Sequence, residues 1–137
     1  MTSPPHAPVL AVDPGRDKCG LAVLGPRGPE KLSIVARGEM VEAVLSILRD
    51  WPLHEILVGD RTTGREIATQ IEALEPGVPV RLVPEHNTTL LARERYFHDN
   101  PPTGWRRLIP RGMLLPPRPV DDYAALVIAE QAMGDDA

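Results

Sequence analysis

Residues 9–24 read VLAVDPGRDKCGLAVL. An apolar run ends in Asp13, Pro14-Gly15 breaks it, Arg16-Asp17-Lys18 forms a charged tip, and Cys19 to Leu24 is a second apolar run. The pattern predicts a hairpin with a carboxylate at the mouth of its first strand. That strand shows little polar alternation, which suits a position buried on both faces in the middle of a sheet. A carboxylate beside a core is costly unless a cation or hydrogen-bond donors meet it. Asp13 therefore reads either as an acid that holds a metal or serves phosphate-directed chemistry, or as the opener of the Pro-Gly turn, bonding the backbone just ahead of it.

The chain has 137 residues, enough for one domain that buries a real core but not for two lobes around a cleft. One domain is expected over residues 1–137, with a flexible stretch at 1–7. Sixteen prolines beside five aromatic residues point to rigid connections. Cys19 is the single cysteine, so no internal disulfide is possible, and no Cys or His pair has zinc spacing. Cys19 reads as a small buried strand residue. No apolar stretch approaches membrane-spanning length and residues 1–7 lack a basic start and an apolar core, so a cytoplasmic location is expected. A net charge of −4 speaks against holding nucleic acid by a bulk positive field, although clustered acids that bind cations lower the formal charge in any case.

Outward from the hairpin, the loop GPRGPE (residues 25–30) leads into EKLSIVAR (30–37), a more exposed third strand that completes a meander. Met40, Val41, Val44, Leu45, Leu48 and Trp51 recur at helical spacing, which predicts an amphipathic helix over 39–51, stopped by Pro52. EILVG (55–59) is a short buried strand. Thr63-Gly64-Arg65-Glu66 is a capping box that starts a helix through Glu75, with Gly77 marking its end. PVRLV (79–83) is another strand, and Thr88 or Thr89 caps a helix to about Phe97. A last helix over 119–133 begins at Pro119. The order α, β, α, β, α with right-handed crossovers makes the strands at 55–59 and 79–83 parallel to each other and to the first strand.

The carboxyl ends of three strands then share one sheet edge, where open α/β sheets place their sites. That edge collects Asp13, Asp60 and Glu85, and the last helix brings Asp121 and Asp122 in its first turn. Acids at a helix start are favourable without any function, so Asp121 and Asp122 have two readings. Oxygen ligands without Cys or His favour magnesium or manganese, and two such ions about 4 Å apart are a common device for in-line displacement at a phosphodiester.

The series Asp13-x-Gly15, Gly20-x-Ala22, Gly59 at a strand end, Glu85 with Thr88-Thr89 and Ala92-Arg93, and Val120-Asp121 with Ala124-Ala125 resembles the YqgF/RuvX family over nearly the whole chain. The resemblance implies an α/β, ribonuclease H-like fold: a mixed five-stranded sheet, an antiparallel three-strand meander then two parallel strands, with helices on both faces. It also implies a divalent-metal-dependent nuclease that processes the precursor of small-subunit (16S) rRNA or resolves Holliday junctions. The family's catalytic and metal-binding acids fall on Asp13, Glu85 and Asp121, and Asp60 and Asp122 are candidates for additional ligands. Two departures stand out. Pro84-Glu85-His86-Asn87-Thr88 replaces the family's Asp-Glu-Arg, keeping only the glutamate, and Gly59-Asp60-Arg61 replaces its Gly-Leu-Pro loop.

Residues 98–118 form a long connection for so small a domain, with Arg106, Arg107, Arg111 and Arg118 against the single acid Asp99. Arginines meet phosphates, and Trp105 either stacks on an unpaired base or plugs the core beneath the loop. Arg16, Lys18, Arg61, Thr88, Trp105, Arg106, Arg107 and Arg111 are the candidate nucleic-acid contacts. The expected substrate is structured RNA or branched DNA, and the expected state is a monomer or homodimer with no membrane partner. A nucleic-acid-binding module of the same fold with weak or no catalysis is the alternative. A nucleotide-binding ATPase lobe also opens with Asp-x-Gly on a hairpin, but encloses its nucleotide with a second lobe.

Overall fold

The computed structural model describes residues 8–61, 63–110 and 113–136. Strands β1 (Val9–Asp13), β2 (Lys18–Gly25) and β3 (Gly28–Ala36) form the meander. Helix α1 (Met40–Asp50), strand β4 (Glu55–Gly59), helix α2 (Gly64–Glu72), strand β5 (Val80–Val83), helix α3 (Thr88–Asp99) and helix α4 (Asp121–Asp136) follow. The sheet order is β3-β2-β1-β4-β5, with β1 antiparallel to β2 and parallel to β4, and β4 parallel to β5. The expected mixed sheet is present, and β1 lies at its centre with Val9 through Val12 fully buried.

Alternation along the strands divides the core in two. Leu10, Val12, Leu21, Val23, Ile56 and Val58 meet Met40, Val44 and Ile47 of α1 and Ile67 and Ile71 of α2. Val9, Ala11, Ala22, Leu24 and Leu57 meet α3 and α4 on the other face. Helix α4 is buried continuously from Asp122 to Ala129, because it lies over the sheet and also carries α3 against its flank. Cys19 is buried in β2, as its setting predicts.

Several expected boundaries shift. The meander's second turn is tighter than GPRGPE suggests: β2 runs to Gly25 and β3 starts at Gly28, which takes a positive φ of 130°. The capping box at Thr63 does not form, since Thr63 makes no side-chain cap bond and Glu66 pairs instead with Arg37 at 3.0 Å. Helix α2 ends at Glu72, short of Glu75, which itself adopts a positive φ. Neither Thr88 nor Thr89 caps α3: Asn87 stands in that place, left-handed at φ 55°, a conformation that asparagine tolerates, and Thr88 is buried within the helix. Helix α4 starts at Asp121, two residues after Pro119.

Candidate functional site

The site grows from the end of β1. Asp13 pairs in register with Gly20 of β2, and a side chain at Gly20 would collide with the backbone of Asp121 and Asp122. The bare glycine lets the first turn of α4 rest on the sheet beside Asp13. Gly59, at the end of β4, does the same for Glu85: a Cβ there would overlap the Glu85 carboxylate. Both glycines serve the site by leaving room, a role that composition alone does not signal.

Asp13 and Glu85 are in contact through their carboxyl groups. Burial, then the negative charges of Glu85 and Asp121, push the Asp13 carboxyl up from 3.8 to about 7, with Arg61 pulling the other way. The Glu85 side chain is only 1% exposed. Its Oε2 accepts the backbone N–H of Arg61 at 3.2 Å, its Oε1 accepts the hydroxyl of Thr88 at 3.3 Å, and Arg61 Nε lies 3.7 Å from Oε1. The backbone N–H of Asp60 donates to the Val83 carbonyl at 3.0 Å, which extends the β4–β5 pairing and aims Arg61 at Glu85.

The geometry thus brings Asp13, Glu85, Thr88 and Arg61 together, with Asp121 near enough to act on Asp13. Two other expected acids stand apart. Asp60 is exposed, its backbone N–H goes to the Val83 carbonyl, and no described side-chain bond joins it to this cluster. Asp122 is 5% exposed and turned away: it pairs with Arg118 at 3.2 Å and accepts the Tyr123 N–H. One residue is about 100° of helix, enough to separate its role from that of Asp121. Arg118 reaches Asp122 from the connection just ahead of α4.

Among the described residues no three acidic, imidazole or thiol groups stand close enough together to hold a metal ion as they are placed. The donor chemistry nevertheless fits a hard divalent cation: two carboxyls facing each other and a third nearby, whose mutual repulsion a cation would relieve.

The nucleic-acid candidates fall in two groups. Arg16 and Lys18 are exposed at the hairpin tip, on the same sheet edge as Asp13. Arg37, which the sequence did not mark, braces that tip: its Nη1 donates to the Gly15 carbonyl at 3.0 Å and its N–H to that of Asp17 at 2.8 Å. The second group lies between α3 and α4, where a short 3-10 turn spans Gly104–Leu108. Trp105 is 72% exposed there, so it does not plug the core. Arg106 donates to the Leu115 carbonyl at 2.8 Å and Arg107 to that of Gly104 at 3.2 Å, so among the described residues both are tethered to their own loop. Arg111 lies outside the described residues.

No protein-family model matches the chain, and no curated protein does. Solved structures do. The chain is similar to Thermus thermophilus RuvC, with 18% identity, a TM-score of 0.59, and coverage of 93% of this chain and 95% of that one. It is also similar to T. thermophilus RuvC in complex with Holliday junction substrate, with 22% identity, a TM-score of 0.58, and coverage of 93% and 94%. At such identities the likeness is one of fold, and the ribonuclease H-like architecture expected from the sequence is the one present. No helix among the described residues is long and apolar enough to cross a membrane.

Proposed function

We propose that the chain is a divalent-metal-dependent nuclease of the YqgF/RuvX kind, acting on structured nucleic acid: the precursor of 16S rRNA, a Holliday junction, or both. The observation that carries this reading is the buried contact between the Asp13 and Glu85 carboxyls beside Asp121, at the carboxyl edge of a ribonuclease H-like sheet. Burying acids against one another is destabilising without a cation, so such a cluster points to a functional site. The T. thermophilus protein of the same fold captured on a Holliday junction supports a nucleic-acid substrate.

Asp13, Glu85 and Asp121 are the residues that would hold magnesium or manganese. The chemistry such an ion supplies is polarisation of a phosphodiester oxygen and activation of water. The chain's own groups then have distinct tasks. Thr88 and the Arg61 N–H fix the Glu85 carboxylate, and Asp13 exchanges its proton as the site fills. The exposed Arg16 and Lys18 sit where backbone phosphates would cross the edge, and Trp105, Arg106 and Arg107 offer a separate contact. Resolution of a junction needs two such sites related by a two-fold axis, so it goes with a homodimer, whereas RNA processing works with a monomer.

A second reading, a binding module without catalysis, draws on the Arg61–Glu85 pair, which gives Glu85 a cation of its own. Incubation of wild type and Asp13→Asn with a four-way DNA junction and a 16S precursor, with magnesium or manganese, separates the two. Cleavage by wild type and loss of at least about a thousandfold in Asp13→Asn is expected. Tight binding by both with no metal-dependent cleavage by either would establish the binding module.

A further inference from the structure

Among the described residues Glu85 makes four contacts of two different kinds. The Thr88 hydroxyl and the Arg61 N–H are fixed by helix α3 and by the β4–β5 pairing, and the contact with Asp13 is fixed by β1. The Arg61 guanidinium is different. Its side chain is 55% exposed against 1% for Glu85, and its Nε stands 3.7 Å from Oε1, too far for a hydrogen bond. It contributes charge without a geometric lock, and can leave without disturbing the backbone. Arg61 also lowers the charge burden on Asp13, opposing Glu85 and Asp121. A buried carboxylate needs a compensating cation, and this guanidinium is the one the described residues place against Glu85.

Resting on the nuclease reading, we propose that Arg61 is a displaceable counter-ion of the metal site: it holds the place of the divalent cation at Glu85, is released when the cation binds, and then meets a phosphate of the nucleic acid. Arg61 is thus a positioning residue for Glu85 in one state and a substrate contact in the other. Guanidinium suits both tasks, since it pairs with carboxylate and phosphate alike. The device couples metal loading to nucleic-acid affinity.

The test is manganese binding by calorimetry on the whole protein without nucleic acid, with Asp13→Asn identifying the site. Arg61→Gln should bind manganese more tightly than wild type by about fivefold or more, because a competing positive charge is gone. Arg61→Lys should stay near wild type, and Arg65→Gln, which removes an exposed charge on α2, should change the affinity less than about twofold. Unchanged or weaker binding by Arg61→Gln, with an Asp13-dependent site intact in wild type, would overturn the counter-ion. An absence of any Asp13-dependent manganese site would overturn the nuclease reading itself, and this proposal with it. For the second half, binding of a phosphorothioate four-way junction is measured against salt concentration. Manganese should steepen the slope of wild type over that of Arg61→Gln by about one phosphate contact. Equal manganese-induced changes in slope would overturn the transfer of Arg61 to phosphate.

Discussion

The sheet edge around Asp13 and the segment between α3 and α4 both carry candidate functional residues, but they are held in opposite ways. At the edge, each side chain comes from a strand end or helix start whose place is set by the core: Asp13 by β1, Glu85 by β5, Asp121 by α4. Between the helices, Trp105, Leu108, Met113 and Leu115 are all more than 60% exposed, and among the described residues Arg106 and Arg107 bond to nearby carbonyls. The first region stores charge repulsion in a rigid frame. The second exposes adaptable contact groups on a connection anchored chiefly at its end, where Arg118 pairs with Asp122 and lies over the rings of Tyr96 and Tyr123. A substitution at the edge should therefore change the stability of the whole domain, and one in the connection should change binding alone.

The severest break of that contrast is Gly20→Val. Its side chain would meet the backbone of Asp121 and Asp122, which cannot swing aside as a flexible side chain would. A loss of about 3 kcal/mol or more is expected from urea unfolding, whereas Trp105→Ala should stay within about 0.5 kcal/mol of wild type because the indole is exposed. Wild-type stability of Gly20→Val would mean that α4 does not rest on β2 at this point.

The stored repulsion at the edge is sharpened by pH. Asp13 holds its proton more tightly in the fold, up to about 7 against 3.8 unfolded. Its contribution is neutral below 3.8, becomes progressively destabilising as pH rises through that interval, and is constant above about 7. Asp13→Asn keeps a donor toward Glu85 and removes the charge. In chelator it should be more stable than wild type by on the order of 2 kcal/mol above neutrality, with the gain vanishing toward pH 4. A gain that does not depend on pH would assign it to something other than this ionisation.

How much of each region could be read from sequence follows from the same difference. That Asp13, Glu85 and Asp121 share one sheet edge was legible because strand order and parallel crossovers decide which strand ends meet there, and hydrophobic runs such as EILVG mark the strands clearly. The local capping signals misled: Glu66 goes to a distant partner, Arg37, and the Thr88 hydroxyl goes to Glu85, three residues ahead of it, instead of to the helix start. The different surroundings of Asp121 and Asp122 depend on helix rotation, and the clearance at Gly20 and Gly59 depends on what packs opposite. Neither is a property of the local sequence. In the connection between α3 and α4 there was no hydrophobic period to read, and the exposure of Trp105 emerges only from the folded chain.

The connection is probed by replacing Arg106 and Arg107 together with Ala. Their present partners are two loop carbonyls, so stability should change by less than about 0.5 kcal/mol. Nucleic-acid affinity should fall across sequences, and the slope of log K against log salt should become shallower by roughly two phosphate contacts. An unchanged slope would turn these arginines away from the substrate and leave Arg16 and Lys18 as the phosphate contacts to examine.

The smallest effect is expected at Asp60, and it tests where the edge ends. Asp60 follows β4 next to β1, and position alone makes it a candidate ligand. Its side chain is exposed, however, and it is the next residue, Arg61, whose N–H and guanidinium face Glu85. Successive residues leaving a strand point to opposite sides, so a chain that aims Arg61 into the cluster aims Asp60 away from it. Asp60→Asn should then bind manganese within about twofold of wild type and cleave at a similar rate, since removing an exposed charge beyond the first contacts changes little in salt. A loss of about tenfold in manganese affinity, worth about 1.4 kcal/mol, would instead place Asp60 among the ligands. It would require the Asp60–Arg61 backbone to turn over when the cation binds, carrying Arg61 off Glu85 as it does so.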